Sequence, residues 1–193
     1  GVYGKYRVEV IYDKLPHRFA FGAKSLYAGA GTGTLELGDP LRSDLNGITN
    51  STAGDLNGDG KTNGRDTMTL LRSRLNGYFE GAADTDMELF RKTGKVNVDV
   101  MAFSPFNLRV EFKREERDGT RPFSGSFGFS GAFEIPEPID YDTTEARIIA
   151  ECARKSFYLS GSYYLSKFEN NTNTLTWENP FRIKDSTTTA AYS

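Results

Sequence analysis

The sequence predicts an all-β fold, an antiparallel meander of amphipathic strands. Three observations carry this. Between residues 95 and 168, four stretches alternate apolar and charged side chains, the period-two pattern of a strand. The turns joining them are alternately very short and very long. The composition is rich in aromatics and glycine: of 193 residues, 14 are Phe, 10 Tyr and 20 Gly, while hydrophobic residues reach only 37%. Many aromatics, many turns and few aliphatics suit an all-β chain or a barrel with aromatic girdles.

The first strand places Tyr6, Val8, Val10 and Tyr12 against Lys5, Arg7, Glu9 and Ile11. The run Asp13-Lys14-Leu15-Pro16-His17 is expected to break it, leaving a short strand or ordered loop over 18–27. A flexible turn at 29–33 and a polar loop over 34–53 follow. After residues 55–66 a helix is expected, with Met68, Leu71 and Leu75 on one stripe, Leu70 beside them and Asn76-Gly77 as the stop. Residues 84–90 read as one short helical turn.

The regular strands come next. Val96, Val98 and Val100 oppose Asn97 and Asp99, and Ser104-Pro105 makes a tight turn. The returning strand puts Phe106, Leu108, Val110 and Phe112 on one face and Asn107, Arg109, Glu111 and Lys113 on the other. A long connection rich in Gly, Phe and Pro is expected over 117–143. Ala146, Ile148, Ala150 and Cys152 then oppose Glu145, Arg147 and Glu151. After a tight turn at 154–156, Phe157, Leu159, Gly161, Tyr163 and Leu165 oppose Tyr158, Ser160, Ser162, Tyr164 and Ser166.

Two folds share this pattern. A soluble antiparallel sheet wets its charged face. A transmembrane barrel turns its apolar face to lipid and its charged face to a lumen. Strands of about ten residues, tilted by roughly 40°, reach about 25 Å, the height of a barrel's apolar band. Short turns on one side and long loops (13–94, 117–143 and 169–193) on the other also follow the barrel rule. About five strands cannot close a membrane barrel, which needs at least about eight, so the expectation is an arc of a larger wall. The start, Gly1-Val2-Tyr3-Gly4, lacks a signal peptide's charged and apolar regions, which predicts a mature chain or an internal piece.

Several function classes drop out. With 24 basic and 26 acidic residues the formal charge is −2, without the basic excess that nucleic acid demands. No stretch is long and apolar enough for a transmembrane helix. Cys152 is the only cysteine, so there is no internal disulfide and no haem attached to this chain itself. It reads as a small apolar group near a turn. The single histidine, His17, reads as a loop residue and allows no Ser/His/Asp set. Carboxylate pairs have nothing specific beside them. No enzyme is predicted.

Residues 55–66 differ in kind. Asp55, Asn57 and Asp59 stand at positions 1, 3 and 5 of a calcium loop and Gly60 at the turn position. Lys61 would offer its carbonyl, Asn63 sits at position 9 and Asp66 at position 12. Calcium takes six to eight oxygens, and alternate residues of a tight loop can aim them inward. Residues 55–75 resemble a dockerin type I repeat. With one such repeat and no helix before it, cohesin docking is not expected; a calcium-stabilised loop is.

Other stretches resemble the MtrB/PioB family of decahaem-associated outer-membrane β-barrel proteins. They are Gly119-Thr120-Arg121-Pro122, the run Ile135-Pro136-Glu137-Pro138-Ile139-Asp140-Tyr141 before Thr144-Glu145, Leu159 to Tyr164 with Phe168-Glu169-Asn170, Trp177-Glu178-Asn179-Pro180-Phe181, and Tyr12 to His17. The resemblance implies a non-catalytic, porin-like sheath in the bacterial outer membrane. Such a sheath encloses a periplasmic multihaem c-type cytochrome, with an outer-surface cytochrome as a further partner. Lumen-facing candidates are Arg7, Glu9, Asp99, Arg109, Glu111, Lys113, Glu145, Arg147 and Glu151, with the apolar face against membrane lipid. The full expectation is part of a transmembrane β-barrel with one small calcium-loop and helix insertion. Its parts are a barrel strand and loop start (1–40), an insertion on the outer-loop side (41–94, loop and helix at 55–76), four barrel strands (95–168) and an outer loop (169–193). The other reading left open is a secreted soluble β-sandwich binding module stabilised by calcium.

Overall fold

A computed structural model describes residues 1–51, 54–126 and 132–183. In chain order the elements are β1 (Val2–Tyr3), β2 (Tyr6–Ser25), β3 (Thr34–Leu35), α1 (Asp39–Thr49), α2 (Gly64–Glu80), β4 (Ala83–Phe103), β5 (Phe106–Ser126), β6 (Ala132–Arg154), β7 (Phe157–Asn170) and β8 (Thr176–Trp177). The predicted meander is present. Six strands form one sheet in the order β1-β2-β4-β5-β6-β7, and β3 pairs with β8 in a separate parallel pair. β4 and β5 are antiparallel, with Val96 opposite Phe112, Val98 opposite Val110 and Val100 opposite Leu108. The same holds for β6 and β7, where Ala146 faces Leu165 and Ile148 faces Tyr163.

The strands are about twice as long as their alternation suggests. β2 has 20 residues, β5 has 21 and β6 has 23. Three sequence expectations are corrected by this. The break at 13–17 is absent, the helical turn at 84–90 is strand, and most of the connection at 117–143 belongs to β5 and β6; its residues 127–131 lie outside the described ones. Prolines misled, for a reason of hydrogen-bond side. The Asp140 carbonyl accepts from the Asn171 amide just where β7 ends. Pro136 and Pro138 share Asp140's parity, so their missing N–H groups fall on a side that β7 no longer occupies. Pro16 has the parity opposite to Lys5, whose carbonyl takes the Met101 amide of β4, so it too faces away from the ladder. Gly119 is a close approach of another sort. Its φ is +138° and a Cβ there would run into the Glu88 carbonyl.

The chain divides into two compact units, each described by itself. The first comprises Gly1–Phe19, Glu88–Arg121 and Ile139–Asn173. It is a single layer of sheet, and on it Val10, Tyr12, Phe106, Phe112, Ile148, Leu159, Tyr163 and Leu165 are all exposed.

The second comprises Ala20–Met87, Pro122–Pro138 and Thr174–Ser193. Its core joins Leu37, Leu41, Leu45 and Ile48 to Leu71, with Leu70, Leu75, Tyr78 and Phe181 packed against them. α1 replaces the expected polar loop at 34–53 and supplies the preceding helix that residues 55–66 were expected to lack. Its cause is local: Pro40 opens it, and Leu41, Leu45 and Ile48 recur at helical spacing and are buried. α2 begins as expected but runs through Asn76-Gly77 to Glu80, because Tyr78 lies against the core and its hydroxyl donates to Asp44 at 3.1 Å. Met68 is 59% exposed and not on the buried stripe. The expected outer loop at 169–193 contains the end of β7 and β8, while residues 184–193 lie outside the described ones. Within this unit the Trp177 ring lies 5.2 Å from that of Phe133. Arg42, 2% exposed, reaches Glu178 at 2.9 Å and the Arg182 carbonyl at 2.9 Å. Asn46 donates to the Phe181 carbonyl at 2.7 Å.

Candidate functional site

The chemistry of this chain is concentrated on one face of the first unit. In an antiparallel pair, residues directly opposite share a face. Lys95 opposes Lys113, Asn97 opposes Glu111 and Asp99 opposes Arg109; Glu145 opposes Ser166, Arg147 opposes Tyr164 and Glu151 opposes Ser160. Side-chain bonds then tie strand to strand. Asn97 Nδ2 donates to Glu9 Oε2 at 2.8 Å, linking β2 to β4. Arg109 Nε donates to Asp99, linking β4 to β5. Lys113 Nζ is 3.3 Å from Glu145, linking β5 to β6. The Tyr164 and Tyr158 hydroxyls donate to Glu145 and Glu151 at 2.8 and 2.7 Å, linking β6 to β7. All nine lumen candidates therefore fall on strand positions of one parity set, Arg7 by sharing the parity of Glu9 on β2. Lys95, Glu111, Lys113, Glu145, Arg147 and Tyr164 line a shallow groove there. Sequence reading missed Tyr158 and Tyr164 as partners of the acids; their alternation with Ser160 and Ser162 was the signal.

The opposite face is apolar only over part of each strand. On β5 it runs from Phe106 to Phe112 and then turns charged at Arg114, Glu116 and Asp118. On β7 it runs from Phe157 to Leu165 and turns charged at Lys167 and Glu169. Tyr12 gives way to Lys14 on β2, Val96 to Gly94 and Lys92 on β4, and Ala146 to Thr144 and Asp142 on β6. Five strands thus share one edge to the apolar band. From Phe157 to Leu165 the band measures roughly 20 Å along the sheet normal to that edge, at about 3.3 Å per residue and about 40° of tilt.

The calcium-type loop belongs to the second unit. Asp55 Oδ1 accepts the Gly58 and Asp59 amides at 2.8 and 3.2 Å, and its Oδ2 accepts Gly60 at 2.8 Å. Asn57 accepts from the Asp59 amide at 3.0 Å and Asp59 from Lys61 at 2.9 Å. Gly58 and Gly60 have φ of +74° and +76°, which the tight course requires. Asn63 caps α2 by accepting the Arg65 amide, while Asp66 completes a capping box. Asp66 is fully buried, and its oxygens take the amides of Asn63 at 2.8 Å, Leu56 at 2.9 Å and Asn57 at 3.2 Å. Those amides, Asn63's foremost, hold its carboxyl below the usual carboxylate range against the opposing effect of burial. Among the described residues, no three His, Cys, Asp or Glu side chains are gathered to hold a metal. Elsewhere in this unit, burial first and the Glu178 charge second push the Tyr27 hydroxyl up to about 12.

Comparison with known proteins bears on the sheet. The family model of the outer membrane beta-barrel porin MtrB/PioB matches residues 1–193. The outer membrane protein MtrB of Shewanella baltica (strain OS185) is 25% identical over 181 residues, which cover 94% of this chain. Those residues are 22% of that relative, so the chain spans under a quarter of its length. The match also spans residues 55–76 and gives no support to reading them as an inserted dockerin-type repeat.

Proposed function

The chain belongs to the MtrB/PioB family of outer membrane β-barrel porins, and from that premise we propose that it is an arc of a barrel wall that sheathes a multihaem c-type cytochrome. In this reading the wall does no chemistry. It holds and insulates a chain of haems so that electrons cross the outer membrane, with a second cytochrome on the outer surface. The observation that carries the reading is the pair of faces on one sheet. The apolar face is exposed along a band of membrane height, which lipid would cover. The other face is a network of charges tied across β2, β4, β5, β6 and β7. Such a network belongs in a water-lined lumen, since a charge on the lipid face costs about 2–4 kcal/mol at the midplane. A soluble sandwich would instead need a second layer over the apolar face, and the first unit is a single sheet.

The test uses the full-length protein. It should fractionate with the outer membrane and retain a haem-staining partner through detergent purification. Reversing Lys113 and Arg147 to Glu should lower that retention without altering barrel formation. Fractionation in the soluble phase, or a barrel purified without any haem protein from cells that make one, would sink the idea.

We further propose that Asp55, Asn57, Asp59, the Lys61 carbonyl, Asn63 and Asp66 take a calcium ion. Support comes from the donor set, all hard oxygens in loop register, and from Gly60 at the turn position. Binding would stabilise α2, because an ion held only by the folded loop shifts folding by mass action. Calcium should therefore slow amide exchange over 55–70 in the full-length protein, and D55N/D59N should abolish the effect. Equal exchange with calcium and with chelator would refute it.

A further inference from the structure

We propose that the edge of the apolar band carries a basic collar, Lys14, Lys92, Arg114 and Lys167, that binds the phosphate groups of membrane lipid. The proposal rests on the membrane-wall reading and adds a ligand to its outside. On β2, β4, β5 and β7 the first charged residue beyond the band on the apolar face is basic, and only β6 begins with an acid, Asp142. The order beyond the edge is directional. On β5 it reads Phe112, Arg114, Glu116; on β7 it reads Leu165, Lys167, Glu169. The bases stand nearest the hydrocarbon, and their partners are acids set further out or on the neighbouring strand. Lys92 Nζ is 2.7 Å from Asp118, Arg114 is 3.2 Å from Glu116 and 3.4 Å from Asp142, and Lys167 is 2.7 Å from Glu169. Lys14 lies over the Phe90 ring, 4.6 Å from its centroid. Arg114 and Lys167 remain reachable, with side chains 54% and 70% exposed, and Lys92 is partly so at 34%.

Lipid phosphates lie at this height, just outside the acyl region, where Lys and Arg stems can cover apolar surface while their heads meet anions. The acids further out meet the more hydrated layer, where they hold the bases in place without competing for the phosphate level. The tight turns at Ser104-Pro105 and Lys155-Ser156 lie at the other end of the band, and short turns mark the periplasmic side. The collar therefore meets the outer leaflet, and its ligand is a phosphorylated glycolipid.

The test presents full-length protein in nonionic detergent with bisphosphorylated lipid A, with the same lipid stripped of phosphate, and with inorganic phosphate as competitor. The wild type should bind the phosphorylated lipid at least about tenfold better than the stripped one, and K14Q/K92Q/R114Q/K167Q should lose the preference, at about fivefold per charge near the surface. E116Q/D118N/E169Q should keep or strengthen it. The proposal is overturned by absence of preference in the wild type, by a preference kept in the basic variant, by its loss in the acidic variant, or by displacement with inorganic phosphate. If the fourfold variant does not form a barrel, K14Q and K167Q alone decide: two unchanged preferences overturn the collar. Haem retention read on the same samples separates a failed collar from a failed sheath.

Discussion

Asp66 shows how one side chain fixes a local fold. From the first turn of α2 its carboxylate gathers three backbone amides of the segment before the helix, those of Leu56, Asn57 and Asn63, and it does so from a fully buried position. Because its pKa is depressed in the folded state, the stabilisation is complete above the ordinary value near about 4 and is lost as pH falls through the lower folded value. Amides 56–66 of the full-length protein should accordingly lose exchange protection on acidification below about pH 4, and D66N should lose most of it at neutral pH. Unchanged protection in D66N would remove the carboxylate from this role. Arg42 is the second such residue. Its pairing with Glu178, 136 positions away in sequence, brings the Trp177–Phe181 segment onto α1. Replacing Glu178 by Gln should cost about 3 kcal/mol, as breaking one side of a buried pair does, seen as a lower unfolding midpoint. Loop spacing marked Asp66 as a candidate calcium ligand, while its hold on the amides before α2 was not read from the sequence. Nor was the Arg42–Glu178 pair, because nothing local marks a contact of that separation.

At the scale of elements, period-two alternation identified the sheet and its two faces, and the residues at 104–105 and 154–156 located the tight turns; the register came from the structure. The strand signal stopped where the alternation stopped. Beyond Phe112, Arg114 and Glu116 lie on one face with Lys113 and Glu115 on the other, so no amphipathic pattern remains although the ladder continues to Gly119. Backbone pairing does not need a greasy side, so strand and pattern end at different places. α1 was missed for the opposite reason: its three apolar positions are diluted among polar ones in an 11-residue helix. The faces make a sharp prediction about β5. Val110→Arg puts a charge on the apolar face and should cost about 2–4 kcal/mol if that face meets lipid. Arg109→Gln, on the neighbouring position, should be tolerated. Vesicle-refolding yields of the full-length protein would check both, and equal yields for the two variants would refute the assignment of faces.

At the scale of the molecule, the family and the outer-membrane location were accessible from ordered short motifs, because several of them pin structure. Pro136 and Pro138 sit where a ladder side falls vacant, and Trp177 to Phe181 close a core. A soluble calcium module fitted the same composition; the family match and the exposed apolar band on a single-layer sheet tell the two apart. That sheet ends on one side at β7, whose 14 residues are exposed throughout, and on the other at β2, covered only by the two residues of β1. In water an uncovered strand bonds to solvent, but hydrocarbon offers nothing in return for its N–H and C=O groups. The arc is therefore unable to enter a bilayer on its own. Its two margins make it a link that becomes insoluble in lipid the moment its neighbours are missing, so cutting the chain within this wall should yield either a misassembled multimer or no insertion, never a smaller pore.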